Sequence, residues 1–164
     1  MMDRIARSVE RDPSYQARIH FTQTRLEPTT ADAIAGSARQ IASTISATAM
    51  LCYTSSGSTA RRIARERPPV PLLAMSASMT TARRMGLLWG VHPIHTRDVS
   101  SFEEMVEKAK RMALRHQIAK GGDRLIVMAG IPFGTAGSTN VLHVVRLSGD
   151  ELERYRANKS SARD

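Results

Sequence analysis

Compact apolar runs and stretches of helical period alternate along most of this chain. Ala49–Tyr53, Val70–Met75, Val91–His95 and Leu125–Ala129 are short runs of strand length, and Val141–Leu147 alternates loosely, so five strands are predicted. Between them the apolar period lengthens to that of a helix. Ile34, Ala38, Ile41 and Ile45 form one stripe behind Thr29-Thr30, which can cap it. Phe102, Met105, Val106, Ala109, Met112 and Ala113 mark the inner face of a helix running to about residue 119. Ser100 and Ser101 precede Glu103 and Glu104 in two overlapping capping-box registers. A short basic helix is expected within Ser56–Arg67, stopped by Pro68-Pro69, and another over Met79–Leu88 behind Ser78. Met2, Ile5, Ala6 and Val9 give an N-terminal helix, Met1–Glu10, ended by Asp12-Pro13. Positions 13–29 are polar and irregular, and the tail Gly149–Asp164 reads as a frayed helix or as disorder. A helix without a visible partner, followed by a loose segment, reads as the end of a unit lying upstream.

Strands that alternate with helices imply an α/β fold, a mostly parallel sheet with helices on both faces. The fourth and fifth strands are joined by a loop alone. That link fits an antiparallel last strand, because a parallel pair needs a crossover of a dozen or more residues.

Composition narrows the class. The 164 residues are 41% apolar, enough for a real core, but only 4% aromatic, so the core must be built from Ala, Ile, Val, Leu and Met. Met105 and Met112 read as core filler. The net charge of +9 favours anionic partners. Nucleic acid is not expected, since zinc-finger spacing and interleaved aromatic and basic residues are absent and the arginines are scattered. No stretch approaches a membrane span, and MMDRIARSVERD is amphipathic rather than a signal peptide, so neither a membrane partner nor export is expected and a cytoplasmic location is. Cys52, the single cysteine, lies in an apolar run and reads as a small buried hydrophobe, in keeping with a reducing compartment.

The candidate chemistry lies in two Ser/Thr/Gly loops, Thr54–Thr59 and Gly134–Thr139, about 80 residues apart. Each follows an apolar strand, and the first runs into a basic helix. Such a loop offers backbone N–H groups and hydroxyls to an anion at the favourable end of a helix dipole. Ligands of doubly wound sheets bind beyond the C-terminal strand ends where strand order reverses. If the first strand lies beside the fourth, the two loops meet there. Thr54, Ser55, Ser56, Gly57, Ser58 and Thr59 would then form a phosphate nest, Arg61 or Arg62 would add a forked contact, and Gly134, Thr135, Gly137, Ser138 and Thr139 would close the other end. The plainer reading is two tight turns whose hydroxyls only cap helices. Neither GxxxxGK(S/T) nor GxGxxG is present. His92 and His95 fall on opposite faces of a strand, and zinc needs three or four converging ligands, so no metal site is expected. Trp89 reads as packing at a helix end and as a fluorescent reporter.

These motifs form an ordered series. Thr54-x-Ser-Gly-x-Thr-Ala-Arg61, Arg67-Pro, Pro71-Leu-Leu-Ala74, Thr81-Ala-Arg83, Trp89-Gly-Val-x-Pro93, Gly122-Asp123, Gly130-x-Pro132 and Gly137-x-Thr-Asn140 follow one another along the chain. The series closely resembles the C-terminal domain of pyruvate kinase, and the match spans residues 28–147. Residues 1–27 resemble the end of that family's catalytic barrel with a linker, and 148–164 would be a polar tail.

The resemblance implies a three-layer α/β/α sandwich whose five-stranded sheet ends in an antiparallel strand. It implies an allosteric module that takes a sugar phosphate or a nucleotide monophosphate at Thr54–Thr59, with Gly134–Thr139 closing over it. It also implies subunit contacts within a homo-oligomer, a tetramer in the parent enzyme. That parent would transfer phosphate from phosphoenolpyruvate to ADP in glycolysis, with Mg and usually K held in the barrel. No catalytic residue and no cofactor are assigned to this chain, which is expected to be inactive alone. Relatives regulated by fructose bisphosphate often place basic residues near the second phosphate. Here Val99–Met105 is acidic and Arg97 is the nearest cation, which argues for a monophosphate. The alternative is a structural module that holds subunits together and binds no effector.

Overall fold

The computed structural model describes residues 1–10, 12, 14–15, 26–133, 138–151 and 153. Most of the irregular stretch expected over 13–29 and most of the tail therefore lie outside the described residues. The elements in chain order are α1 (Met2–Glu10), α2 (Thr30–Thr44), β1 (Ala49–Tyr53), α3 (Ser58–Arg65), β2 (Leu72–Ser76), α4 (Met79–Met85), β3 (Val91–His95), α5 (Phe102–Arg115), β4 (Arg124–Gly130) and β5 (Thr139–Arg146). The strands form one sheet in the order β3-β2-β1-β4-β5. All neighbouring pairs are parallel except β4 and β5, which are antiparallel. The expected α/β class and the antiparallel last strand are both found.

Alternation along each strand divides the core into two layers. Leu51 and Tyr53 of β1, Leu73 and Met75 of β2, and Leu125 and Val127 of β4 face α5 through Met105, Ala109 and Met112. Met50, Cys52, Leu72, Ala74, Ile126 and Met128 face the other way, against Ala35, Ala38 and Ala42 of α2, Ala60 and Ile63 of α3, and Met85 of α4. The central strands β1 and β2 are buried along their whole length, as a parallel sheet covered on both faces requires. The placement of α5 opposite the other helices follows from the strand order. Crossovers between parallel strands are right-handed, so a chain that winds outward through β2 and β3 and then returns to β4 must cross on the opposite face.

Local chemistry explains the helix ends. Thr29 caps α2 by accepting the Asp32 N–H at 3.2 Å, and Ser78 caps α4 by accepting the Thr81 N–H at 3.2 Å. At α5 the reciprocal capping box is offset by one residue. Ser101 accepts the Glu104 N–H at 3.1 Å, but the Glu104 carboxylate returns to the N–H and hydroxyl of Ser100, both at 2.9 Å. These bonds hold the Glu104 carboxyl below its usual range. Several boundaries differ from the sequence reading by a few residues: β2 ends at Ser76, α4 at Met85, α5 at Arg115, and β5 begins at Thr139.

The inner face of α2 also differs. Ile34, Ile41 and Ile45 are only partly buried, whereas Ala35, Ala38 and Ala42 are fully packed, together with the charged Asp32 and Arg39. The small side chains let the helix approach the sheet, and Asp32 is matched by arginines, whereas the buried Arg39 Nε has no hydrogen-bond partner among the described residues. Asp32 accepts from Arg62 Nε at 3.0 Å, from Arg65 Nη2 at 2.7 Å and from the Glu27 N–H at 2.9 Å. Arg65 also pairs with buried Glu66 at 3.2 Å. The Arg65 contact is the main cause of a lowered Asp32 pKa, opposed by burial. Cys52 behaves as expected, with burial pushing its thiol up to about 12.

Candidate functional site

The first loop leaves β1 at its C-terminal end and is fixed by its own backbone. The Thr54 N–H extends the ladder to Met75 O at 3.0 Å, and Thr54 Oγ1 accepts the Gly57 N–H at 3.0 Å. Gly57 turns the chain with a φ of +83°, a region that glycine enters without strain. Ser56 and Ser58 share a hydroxyl contact at 3.1 Å, and Thr81 of α4 donates to Ser55 O at 2.9 Å. The helix that follows starts without a side-chain cap, because Gly57 occupies the N-cap position. The first-turn N–H groups of α3 have no carbonyl of their own helix to bind, so they present the positive end of the dipole at the mouth of the loop.

The second loop joins β4 to β5. The β4–β5 register shifts at Ala129/Gly130, and Asn140 stands in for a strand partner there. Its amide accepts from the Ile131 N–H at 2.8 Å and donates to Ile131 O at 2.5 Å. The loops touch directly: the hydroxyls of Thr59 and Thr139, both buried, lie 2.6 Å apart. The strand order places β1 beside β4, so this contact sits at the reversal of the winding. Gly134, Thr135 and Gly137 lie outside the described residues.

A cavity of about 330 Å³ opens between the two loops. Thr54, Ser55 and Thr59 line it from the first loop, and Gly130, Ser138 and Thr139 from the second. Tyr53 and Phe133 form an aromatic wall, in edge-to-face contact with ring centroids 6.5 Å apart. Ala77, Ser78 and Asp98 complete the rim. Ser56, Gly57 and Ser58 shape the turn without lining the cavity. Arg61 is exposed and stands off the rim, while Arg62 is committed to Asp32.

Local pattern did not single out Tyr53, Asp98, Lys108 or Phe133. Tyr53 donates its hydroxyl to Arg97 O at 2.6 Å, and buried Lys108 donates to Arg97 O at 2.8 Å and to Asp98 O at 3.1 Å. Two elements, β1 and α5, thus clamp the short segment after β3 that carries Asp98. Burial raises the Tyr53 phenol, and the neighbouring Asp98 carboxylate raises it further. One signal was available: Asp98 follows a strand at its C-terminal end, the edge where such sheets place their ligand groups. His92 and His95 are exposed, and His95 Nε2 lies 3.2 Å from Ala77 O. Among the described residues, no three His, Cys, Asp or Glu side chains converge to hold a metal ion.

A family model described as "Pyruvate kinase, alpha/beta domain" matches residues 32–145. This chain belongs to the pyruvate kinase alpha/beta domain family. It is 41% identical over 153 residues to a pyruvate kinase of Methylorubrum extorquens, covering 93% of this chain and 32% of that protein. A pyruvate kinase of Agrobacterium vitis is 37% identical over 146 residues, covering 89% of this chain and 31% of its own length. A pyruvate kinase of Mycobacterium tuberculosis is 33% identical over 129 residues, with 79% and 27% covered. The pyruvate kinase domain described here therefore spans about a third of the length of these relatives. Among the described residues no helix is long and apolar enough to cross a membrane.

Proposed function

We propose that this pyruvate kinase domain binds a phosphorylated metabolite in the cavity between Thr54–Thr59 and Gly134–Thr139 and passes its occupancy to the rest of a cytoplasmic pyruvate kinase. The observation that carries the reading is the 2.6 Å contact between Thr59 and Thr139, which joins two loops 80 residues apart over one cavity. The uncapped start of α3 supplies the positive end for a phosphate, and the hydroxyls of Thr54, Ser55 and Ser138 supply neutral donors. The ligand is a sugar phosphate or a nucleotide monophosphate. It acts by binding one arrangement of the domains or subunits more tightly than another, since a ligand of equal affinity for both shifts nothing.

The larger enzyme transfers phosphate from phosphoenolpyruvate to ADP and works as a homo-oligomer. Among the described residues no three His, Cys, Asp or Glu side chains gather to hold a metal ion, and no step of the transfer is assigned to this chain. A second reading, a module that only holds subunits together, draws on β5. Among the described residues this strand ends the sheet, and its Val144 is exposed.

Calorimetric titration of the 164-residue chain with inorganic phosphate, glucose 6-phosphate, AMP and fructose 1,6-bisphosphate separates the two. Saturable binding of an organic phosphate, tighter than phosphate itself and weakened by Thr59→Ala, is the expected result. Oligomerisation without any ligand response would favour the structural module, and unchanged affinity in Thr59→Ala would overturn the assigned cavity.

A further inference from the structure

The seam between α2 and α3 holds more positive charge than it neutralises. Arg39, on the inner face of α2, is only 4% exposed, and among the described residues nothing accepts a hydrogen bond from its buried Nε. Arg62 Nη1, on the α3 side, is buried without an acceptor as well. Three guanidinium groups, of Arg39, Arg62 and Arg65, here meet two carboxylates, of Asp32 and Glu66, which leaves a surplus of one positive charge. Both carboxylates are already claimed. Asp32 takes Arg62 Nε and Arg65 Nη2, and Glu66 takes Arg65 Nε at 3.2 Å. Burial lowers the Arg39 pKa, and the charge of Glu66 offsets this only in part. A lysine so placed could shed its proton, but a guanidinium stays charged. Arg39 therefore carries a buried charge, and a buried charge is costly unless it is paired and hydrogen-bonded.

We infer that the α2–α3 seam binds one small carboxylate-type anion, such as formate, acetate or bicarbonate, against the Nε edge of Arg39. The charge surplus sets the valence. One monovalent anion brings the seam to neutrality, whereas a dianion would leave excess negative charge beside Asp32 and Glu66. The open edge sets the shape, because Nε lies on the side of a guanidinium that takes a planar carboxylate through two parallel N–H···O bonds. Burial sets the size, since Arg39 is covered on nearly all sides and only a few atoms can reach it. Arg62 and Arg65 keep 26% and 30% of their side chains exposed, so the anion enters past them. None of the three arginines lines the cavity between the loops, and the seam is a separate site from the one proposed there.

The test follows urea unfolding of the parent 164-residue chain, Arg39→Met and Arg39→Lys while sodium formate or sodium chloride replaces the bulky gluconate salt at constant ionic strength. Met keeps most of the packed stem without the charge, and Lys keeps the charge without the planar fork. In the parent chain the folded-to-unfolded ratio rises saturably with formate, by about tenfold when formate reaches roughly ten times its dissociation constant. Chloride, which cannot bridge two parallel N–H groups, gives a smaller rise. Arg39→Met shows no response to formate, and Arg39→Lys responds to formate no more than to chloride. The NMR line width of isotope-labelled formate gives a second readout on the folded chain, broadened by the parent and by neither variant. A parent chain that does not respond to formate, or that responds no differently from Arg39→Met, overturns the site. A chloride response equal to that of formate overturns the carboxylate class. Should Arg39→Met not fold, the line width with the parent and Arg39→Lys decides: equal broadening by the two, or none by the parent, overturns the inference.

Discussion

Asp32 is 1% exposed at its side chain and meets two guanidinium groups, of Arg62 and Arg65, that retain roughly a quarter to a third of theirs. Removing one partner of a buried pair leaves the others uncompensated. Asp32→Asn is therefore expected to cost about 3 kcal/mol, the lower end of the range for such pairs, because both arginines keep access to water. The Asp32 pKa is lower in the fold than the unfolded value of about 3.9. Ionised Asp32 thus contributes stability above about pH 4, and that contribution is lost as the pH falls through the folded-state value. Denaturant midpoints should show the parent chain and Asp32→Asn far apart at pH 7, with the gap closing below pH 4. A constant gap would remove the ion pairs as its cause. The same residue shows what a local pattern misses. An acid inside a helix reads as solvated, and the partners that bury it stand 30 and 33 positions away on α3. Asp98 and Lys108 escaped for the same reason, since their meaning depends on a backbone turn that Tyr53 reaches from 44 positions off.

Elements were more legible than residues. Runs such as Ala49–Tyr53 and caps such as Ser78 carry their signal locally, so the strands and most helix starts could be read directly. Helix ends and the buried face of α2 could not, because alanine gives a weak apolar signal yet allows the closest approach. Strand order was the decisive unknown, and the β1–β4 pairing settles it from Ala49↔Leu125 to Cys52↔Met128. At the end of this pairing Gly130 lets β4 pass close to the start of β5. A Cβ there would lie 2.7 Å from Ser138 O and 2.8 Å from Ser138 C, both backbone atoms that cannot swing aside. Gly130→Ala should therefore push the two strand ends apart at the cavity wall, at a cost of about 1–3 kcal/mol, typical of forced overpacking. Thermal unfolding reads the stability, and titration with phosphate reads the cavity, which should weaken in parallel. A variant that melts and binds like the parent chain would show that the strands separate freely at this point.

Across the molecule, α1 stands apart from the two-layer core that organises everything else. It buries none of its residues, and Met2, Ile5 and Val9 on its apolar face are exposed. Its described tie to the domain is a hydrogen bond from Trp89 Nε1 to Glu10 Oε1 at 3.0 Å, with the Arg67 guanidinium 4.5 Å from the centre of the Trp89 ring. An exposed tie of this kind orients a helix without stabilising the fold beneath it. Glu10→Ala is expected to shift the emission of Trp89, the single tryptophan, while leaving domain stability within about 0.5 kcal/mol of the parent chain. Emission spectra and denaturant midpoints of the two chains provide the check. A loss well beyond that margin would mean that α1 belongs to the cooperative unit. With the midpoint unchanged and the emission shifted, Trp89 reports on α1 alone, which makes it the natural probe of whether a phosphate bound between the loops alters the helix at the far side of β3.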